Sequence, residues 1–355
     1  MPASSVDTFL ACSIMIILVL SAMAGTSKQV APYLQDLSHQ NDAERFQSLA
    51  SYLLLHTGTP SSWGQTREIT PSSLGLAKTD ASLSYELDID KVSRLNSENA
   101  FSLTYSELWE SLGVADVAFQ IEVRTLFELS IDLVSNQTQG GETIYEFDVE
   151  ARKSGLPVLT DLSCYVVIEH FVENVKSSTS SDGVGSLVFS IPNSVNGTTL
   201  LLVFAKAKAN QQIVSFDVYA FGHNSPFHLP NRTFLNPSPL NYVLNVSFTY
   251  PTTEIWTAQV FSFNYNFSLT KRAQGDQSAE YDIPRLTESS PMIIVLTGLQ
   301  GSSSFAEWVA YPQLPLQIGS EFSQNIAGTI VISQSRIVTM SFALYEIVTR
   351  WGGTA

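Results

Sequence analysis

Two hydrophobic periods divide the chain. Up to residue 56 the apolar positions read as helix. Phe9–Ala24 (FLACSIMIILVLSAMA) is apolar, and no charge falls between Asp7 and Lys28. That gap suits a tilted membrane span, which needs ~20 residues at ~1.5 Å each. The run then continues as an amphipathic stretch. Phe46, Leu49, Ala50, Leu53 and Leu54 fall at helical spacing, and Asp42, Glu44, Arg45 and Gln47 take the other side. Pro32 removes a backbone donor and is expected to kink the helix, while Gly58 and Pro60 end it. The pattern predicts one long N-terminal helix over residues 1–56, half in a membrane and half outside it.

Residues 57–117 read as a helical neck. A loop over 57–86 precedes a helix predicted over Leu87–Leu95, with Asp88 and Asp90 suited to its N-terminus. Thr104-Tyr-Ser-Glu107 has the spacing of a capping box, and Gly113 ends the helix that follows.

From Phe119 the period becomes 2. Phe119, Ile121, Val123, Phe127, Leu129, Ile131 and Leu133 keep one parity, and Thr125 and Leu126 break it, which predicts a bulge. Strands follow at Thr143–Ala151, Leu162–Phe171, Ser186–Ile191, Thr199–Ala207 and Ile213–Phe221. Regular short strands separated by turns predict an immunoglobulin-like β-sandwich over 118–223. Asn224–Asn241, rich in Pro and Asn, reads as a connector. Strands at Tyr242–Tyr250, Trp256–Thr270, Met292–Leu299, Thr329–Ser333 and Arg336–Val348 predict a second β-rich unit over 224–355. The fold class expected is α+β, a long N-terminal transmembrane helix followed by immunoglobulin-like β-sandwich domains.

Charge and cysteine usage narrow the function classes. The net charge of -15 excludes a nucleic-acid partner, which wants a basic face. The two cysteines, Cys12 and Cys164, lie in different units and are not expected to pair. Five N-glycosylation triplets start at Asn136, Asn196, Asn231, Asn245 and Asn266. Alternation turns Asn245 and Asn266 away from the apolar face of their strands. They are either glycan acceptors or polar residues filling an outward face. The triplets and the acidity place the body outside the cell, with Phe9–Ala24 in lipid as a single-pass cell-membrane anchor.

Several stretches resemble archaeal type IV pilin-like surface proteins. They are the apolar segment, Ser51-Tyr-Leu-Leu-Leu-His-Thr-Gly58, Pro60-Ser-Ser-Trp63-Gly64, Leu74-Gly-Leu-Ala77, Tyr85-Glu-Leu-Asp88 through Arg94-Leu, and Ser335-Arg-Ile-Val-Thr-Met-Ser-Phe-Ala-Leu-Tyr345-Glu346. Separately, Ala151-Arg-Lys-Ser-Gly-Leu-Pro157-Val resembles the opening of prokaryotic immunoglobulin-like modules. The pilin resemblance implies an N-terminal helix packed in a membrane or a filament core. Asp7 would then serve as the acidic residue near the start of the apolar segment. The face carrying Phe46, Leu49, Leu53 and Leu54 must pack either on the chain's own β body or on neighbouring helices, and with Asp7 the resemblance implies self-association through it. The chain nevertheless lacks the basic residue and glycine that precede the processed N-terminus in that family.

No catalytic constellation emerges. His223 and His228 fit no zinc spacing and read as surface-loop residues. Glu169 and His170, adjacent in a predicted strand, point to opposite faces. Asp88-Ile-Asp90 lacks the glycine and glutamate of a calcium loop, and Gly301-Ser-Ser-Ser304 has no nucleophile-elbow context. No metal or cofactor is expected. Trp63, Trp109, Trp256, Trp308 and Trp351 would form either a sugar-stacking platform or core contacts, and core contacts are favoured. The reading is a non-enzymatic, anchored or filament-forming surface protein. Its alternative is a monomeric binding or adhesion module for a glycan or an envelope protein.

Overall fold

The computed structural model describes residues 42–114, 117–225, 232–286, 290–322 and 331–352, with Met15 and Met23. Strand accounts for 55% of the described residues and helix for 11%, so the class is all-β and not α+β. Among the described residues no helix is long and apolar enough to cross a membrane. The pilin-like N-terminal helix and the single-pass membrane placement are corrected on these grounds. Phe9–Ala24, apart from Met15 and Met23, and Asp7 lie outside the described residues.

The described helical residues 42–55 pack on their own chain. Phe46, Ala50, Leu53 and Leu54 are buried in the main core, and Leu49 packs against it. Of the two partners open to this apolar face, the chain's own β body and neighbouring helices, it meets the β body. In the neck, α1 (Ile89–Ser93) is capped by Asp88, whose side chain accepts from the backbone N–H groups of Asp90 and Lys91. The next helix, α2 (Tyr105–Leu112), carries the predicted capping box between Thr104 and Glu107. Gly113 ends it at φ 66°, a left-handed conformation that suits glycine.

The first β unit has eight strands that follow β1 (Ala118–Thr125): β2 (Glu128–Gln139), β3 (Glu142–Lys153), β4 (Leu156–Pro157), β5 (Thr160–Ile168), β6 (Phe171–Ser178), β7 (Val184–Pro192), β8 (Gly197–Ala207) and β9 (Val214–His223). One sheet runs β2-β3-β4 with β7 also on β3, and the other runs β6-β5-β8-β9. Their facing sides enclose a core of Phe147, Val149, Leu187, Phe189, Val166, Leu201 and Val203. Alternation explains β3, where Tyr145, Phe147, Val149 and Ala151 point in and Glu146, Asp148 and Glu150 do not.

The second unit contains β10 (Leu235–Leu240), β11 (Val243–Phe248), β12 (Thr253–Phe261), β13 (Asn266–Ser268), β14 (Thr270–Gln274), β15 (Ser278–Asp282), β16 (Met292–Gln300), β17 (Ser303–Tyr311), β18 (Leu316–Gly319), β19 (Val331–Met340) and β20 (Ala343–Gly352). They form sheets β10-β11-β15-β14, β13-β12-β16-β17 and, with β1, β18-β1-β20-β19. The segment read as a connector contains β10 despite Pro237 and Pro239. It is an edge strand, where a residue without an N–H is tolerated.

The two units are stacked, not strung out. The outer face of β5 and β8 (Tyr165, Val167, Leu200, Leu202, Phe204) packs on Phe261, Ile293, Val295 and Ala306 of the β12-β16-β17 sheet. The other face of that sheet closes on β11 and β15 through Ile294, Leu296, Leu244, Val246 and Tyr281. Four sheets thus lie face upon face. The middle strands β8 and β16 are buried on both sides. That is why Leu200-Leu-Leu-Val-Phe-Ala205 and Met292-Ile-Ile-Val-Leu296 are continuous apolar runs without alternation.

The parity break at Thr125 and Leu126 is a change of sheet and not a bulge. Up to Val123 the inward residues belong to the main core, and from Phe127 they belong to the sandwich core. Hydrogen bonds from Thr125 Oγ1 and Ser215 Oγ to the Phe127 carbonyl, at 2.9 and 2.8 Å, hold the crossing.

Candidate functional site

A cleft opens where the crossing, the neck and the second unit meet. The strap formed by Leu314–Gln317 divides it into two chambers. The first, of about 550 Å3, is lined by Glu122, Arg124, Glu128, Ser215, Asp217 and the strap. The second, of about 580 Å3, is lined by Asn96, Glu98, Arg232, Trp308, Gln313 and the strap. Both have the size of ordinary small-molecule sites. Their walls come from segments far apart in sequence, so no local motif announced them.

In the first chamber Glu122 and Arg124 are engaged. Arg124 donates to Glu346 at 2.9 Å and to Glu122 at 3.1 Å, and Arg350 reaches the other Glu122 oxygen at 2.9 Å. The hydrogen bond to Glu346 raises the Arg124 pKa further. The hydrogen bond from Ser335, backed by Arg124, holds Glu346 below its ordinary range. Asp217 is pushed up by burial, and its Oδ1 accepts from the Val218 N–H at 2.8 Å.

The second chamber is polar but nearly neutral. Arg232 and Glu98 pair at 3.2 Å, and Asn96 donates to the Gln313 carbonyl at 3.1 Å. Trp308 is half-buried at its wall, and Gln317 is exposed on the strap.

The carboxyls that titrate near neutrality lie outside this cleft. Asp90 is raised to about 6 by burial, and its Oδ1 accepts from Tyr311 at 2.6 Å and from the Asn241 N–H at 2.7 Å; Asp88 and Arg285 are the charges that act on it. Glu307 is raised to about 7 by burial, with Oε1 accepting from the N–H groups of Phe234 and Leu235 and Arg232 nearby. Both carboxyls fasten one element to another.

A stability profile follows from these two groups. A folded-state pKa above the unfolded value means that the native state holds the proton more tightly. The resulting stability is present below the unfolded pKa, near 4, and is lost as pH rises through 6 to 7. A shift of about two units corresponds to roughly 3 kcal/mol as an upper bound for each group. Urea unfolding is expected to show the protein about 2–5 kcal/mol less stable at pH 8 than at pH 5. Glu307→Gln should remove part of that slope, and a flat profile between pH 5 and 8 would refute the assignment.

The residues singled out from sequence are scattered. Asn136, Asn196 and Asn266 are exposed, Asn245 is half-buried with Nδ2 donating to the Val243 carbonyl, and Asn231 lies outside the described residues. His223, expected in a surface loop, is fully buried on β9 and bonds Tyr145 at 2.9 Å, while His228 lies outside the described residues. Glu169 and His170 sit in the turn between β5 and β6 and not within a strand; Glu169 has φ 48°. Trp63 and Trp351 are core residues, and Trp109, Trp256 and Trp308 are half-buried. Cys164 is a buried free thiol whose pKa burial pushes up. Among the described residues no group of three or more His, Cys, Asp and Glu side chains could hold a metal ion.

No family model matches the chain, and no curated protein matches it. Similar solved structures include HBP35 of Porphyromonas gingivalis, at 10% identity and TM-score 0.20, over 52% of this chain and 64% of that one. A second is a chimeric titin Z1Z2 functionalized with a KLER exogenous peptide from decorin, at 11% identity and TM-score 0.17, over 53% of this chain and 95% of that one. The chain thus spans about two thirds of the length of the first. Likenesses with TM-scores this low carry no argument about fold or function.

Proposed function

We propose that this protein is a non-catalytic recognition module, a stack of β-sheets that presents a preformed cleft to a glycan or an envelope protein. The observation that carries the reading is the two-chambered cleft around Leu314–Gln317, walled by the neck, the sandwich and the second unit. The first chamber is walled mainly by paired strands, which preorganises it and lowers the entropic cost of binding. Glu122 pairs with Arg124 and Glu98 with Arg232 in the cleft, and the carboxyls titrating near neutrality serve as fasteners between elements. The acidity of the chain favours a partner other than nucleic acid.

The test is retention of the purified chain on an array printed with glycans and with envelope proteins. Retained ligand should be saturable and should be recovered chemically unchanged by chromatography. Cleaved or modified ligand would replace recognition by catalysis. A blank array on both ligand classes would end the proposal.

A further inference from the structure

The second chamber has a chemistry more specific than its volume. Its wall combines an aromatic ring, Trp308, with planar amide and carboxylate groups at Gln313, Gln317 and Glu98. One of those amides is a donor without a partner. Gln313 is 3% exposed, and its Nε2 has no hydrogen-bond partner among the described residues.

The orientation of that amide is dictated by its neighbours. Asn99 Oδ1 accepts from the Phe101 N–H at 2.9 Å, so Asn99 Nδ2 must face the other way. There it donates to the Pro239 carbonyl at 3.2 Å and to Gln313 Oε1 at 3.0 Å. Flipping Gln313 would set two N–H2 groups against each other. The backbone of Gln313 is also pinned, its N–H by Ser93 Oγ at 3.2 Å and its carbonyl by Asn96 Nδ2 at 3.1 Å. A buried donor left unmet costs about 1–3 kcal/mol, and such a cost in a rigid setting calls for an explanation. Turning the amide would break the bond from Asn99, so the Nε2 donor can be met only by an acceptor that reaches it where it stands.

Resting on the recognition reading, we infer that this second chamber is a subsite for a neutral saccharide. Adjacent ring hydroxyls are matched by the planar end groups of Gln317 and Glu98, and Gln313 adds its one unpartnered N–H2 donor. The C–H face of a pyranose is matched by an indole such as Trp308, an apolar body that still tolerates water at its edge. The Arg232–Glu98 pair leaves the chamber without net charge, which selects a neutral ring over a phosphate or carboxylate ligand.

The test is saturation-transfer NMR on the full chain. The probes are D-galactose, D-mannose, N-acetyl-D-glucosamine and their β-linked disaccharides, with D-glucuronate as the charged comparison. At least one neutral sugar should bind saturably. Gln317→Ala, at an exposed position, should weaken it tenfold or more without moving the melting temperature. Gln313→Glu, which keeps the acceptor for Asn99, should do the same through loss of the donor. Trp308→Ala should remove transfer to the ring C–H protons. Trp256→Ala, whose ring stacks on His170 at 5.5 Å, should leave binding unchanged. No saturable neutral sugar, binding untouched by all three substitutions, or glucuronate bound tenfold tighter would each overturn the inference. Retention on envelope-protein spots with no sugar binding would sink this subsite and leave the recognition reading standing.

Discussion

Arg94→Ala is expected to lower stability by about 3–5 kcal/mol, because several buried carbonyls lose their donor at about 1–3 kcal/mol each. Arg94 is 2% exposed, and burial lowers its pKa. Its guanidinium donates to the carbonyls of Phe101 at 2.8 Å, Thr66 at 3.0 Å, Ile69 at 2.8 Å and also Trp63. It lies over the Trp63 ring at 5.6 Å. One side chain thus closes the loop that connects the 42–55 helix to α1. Removing it leaves several buried acceptors unmet at once, which is costlier than losing one neutral hydrogen bond. Arg94→Lys should recover little, because an ammonium has three donors and no planar fork. Urea unfolding of both variants checks this, and a loss below about 1 kcal/mol for Arg94→Ala would contradict the network.

Leu202→Ala should cost about 2–5 kcal/mol, as much as Leu201→Ala on the opposite face of β8. In an isolated sandwich one face of a strand meets water, and trimming it there changes stability by about 0.5 kcal/mol or less. Here Leu201 lies in the sandwich core and Leu202 in the layer between the two units, and both are fully buried. Equal losses would establish the four-sheet stack in solution. Thermal unfolding of the two single variants separates the cases. Near-wild-type behaviour of Leu202→Ala, with a large loss for Leu201→Ala, would mean that the units do not pack.

Most of the strands were legible because alternation has a local cause. Tyr145, Phe147, Val149 and Ala151 alternate with acidic neighbours, and the structure places them inward on β3. The caps were legible for the same reason, since Thr104 with Glu107 and Asp88 with α1 act within one turn. Where the chain was misread, the signal lay elsewhere in space. β10 was hidden by its prolines, because only the sheet decides that it lies at an edge. The break at Thr125 and Leu126 looked like a bulge, because sequence parity cannot tell a bulge from a change of sheet. Residues 42–55 showed an apolar face without showing what it meets, and the answer is the chain's own core.

The sequence by itself determined the strand-rich character, the helix caps, the acidity and the doubly apolar runs of β8 and β16, because each depends on neighbours within a few residues. Tertiary structure alone decided that those runs are sandwiched between two layers, and that His223 is buried. It also decided that Asn96, Glu98, Arg232, Trp308 and Gln313 share one chamber. The physical reason is separation along the chain. Burial on a second face, and a site built from residues 96, 232 and 313, depend on which sheets meet, and no local period encodes that meeting.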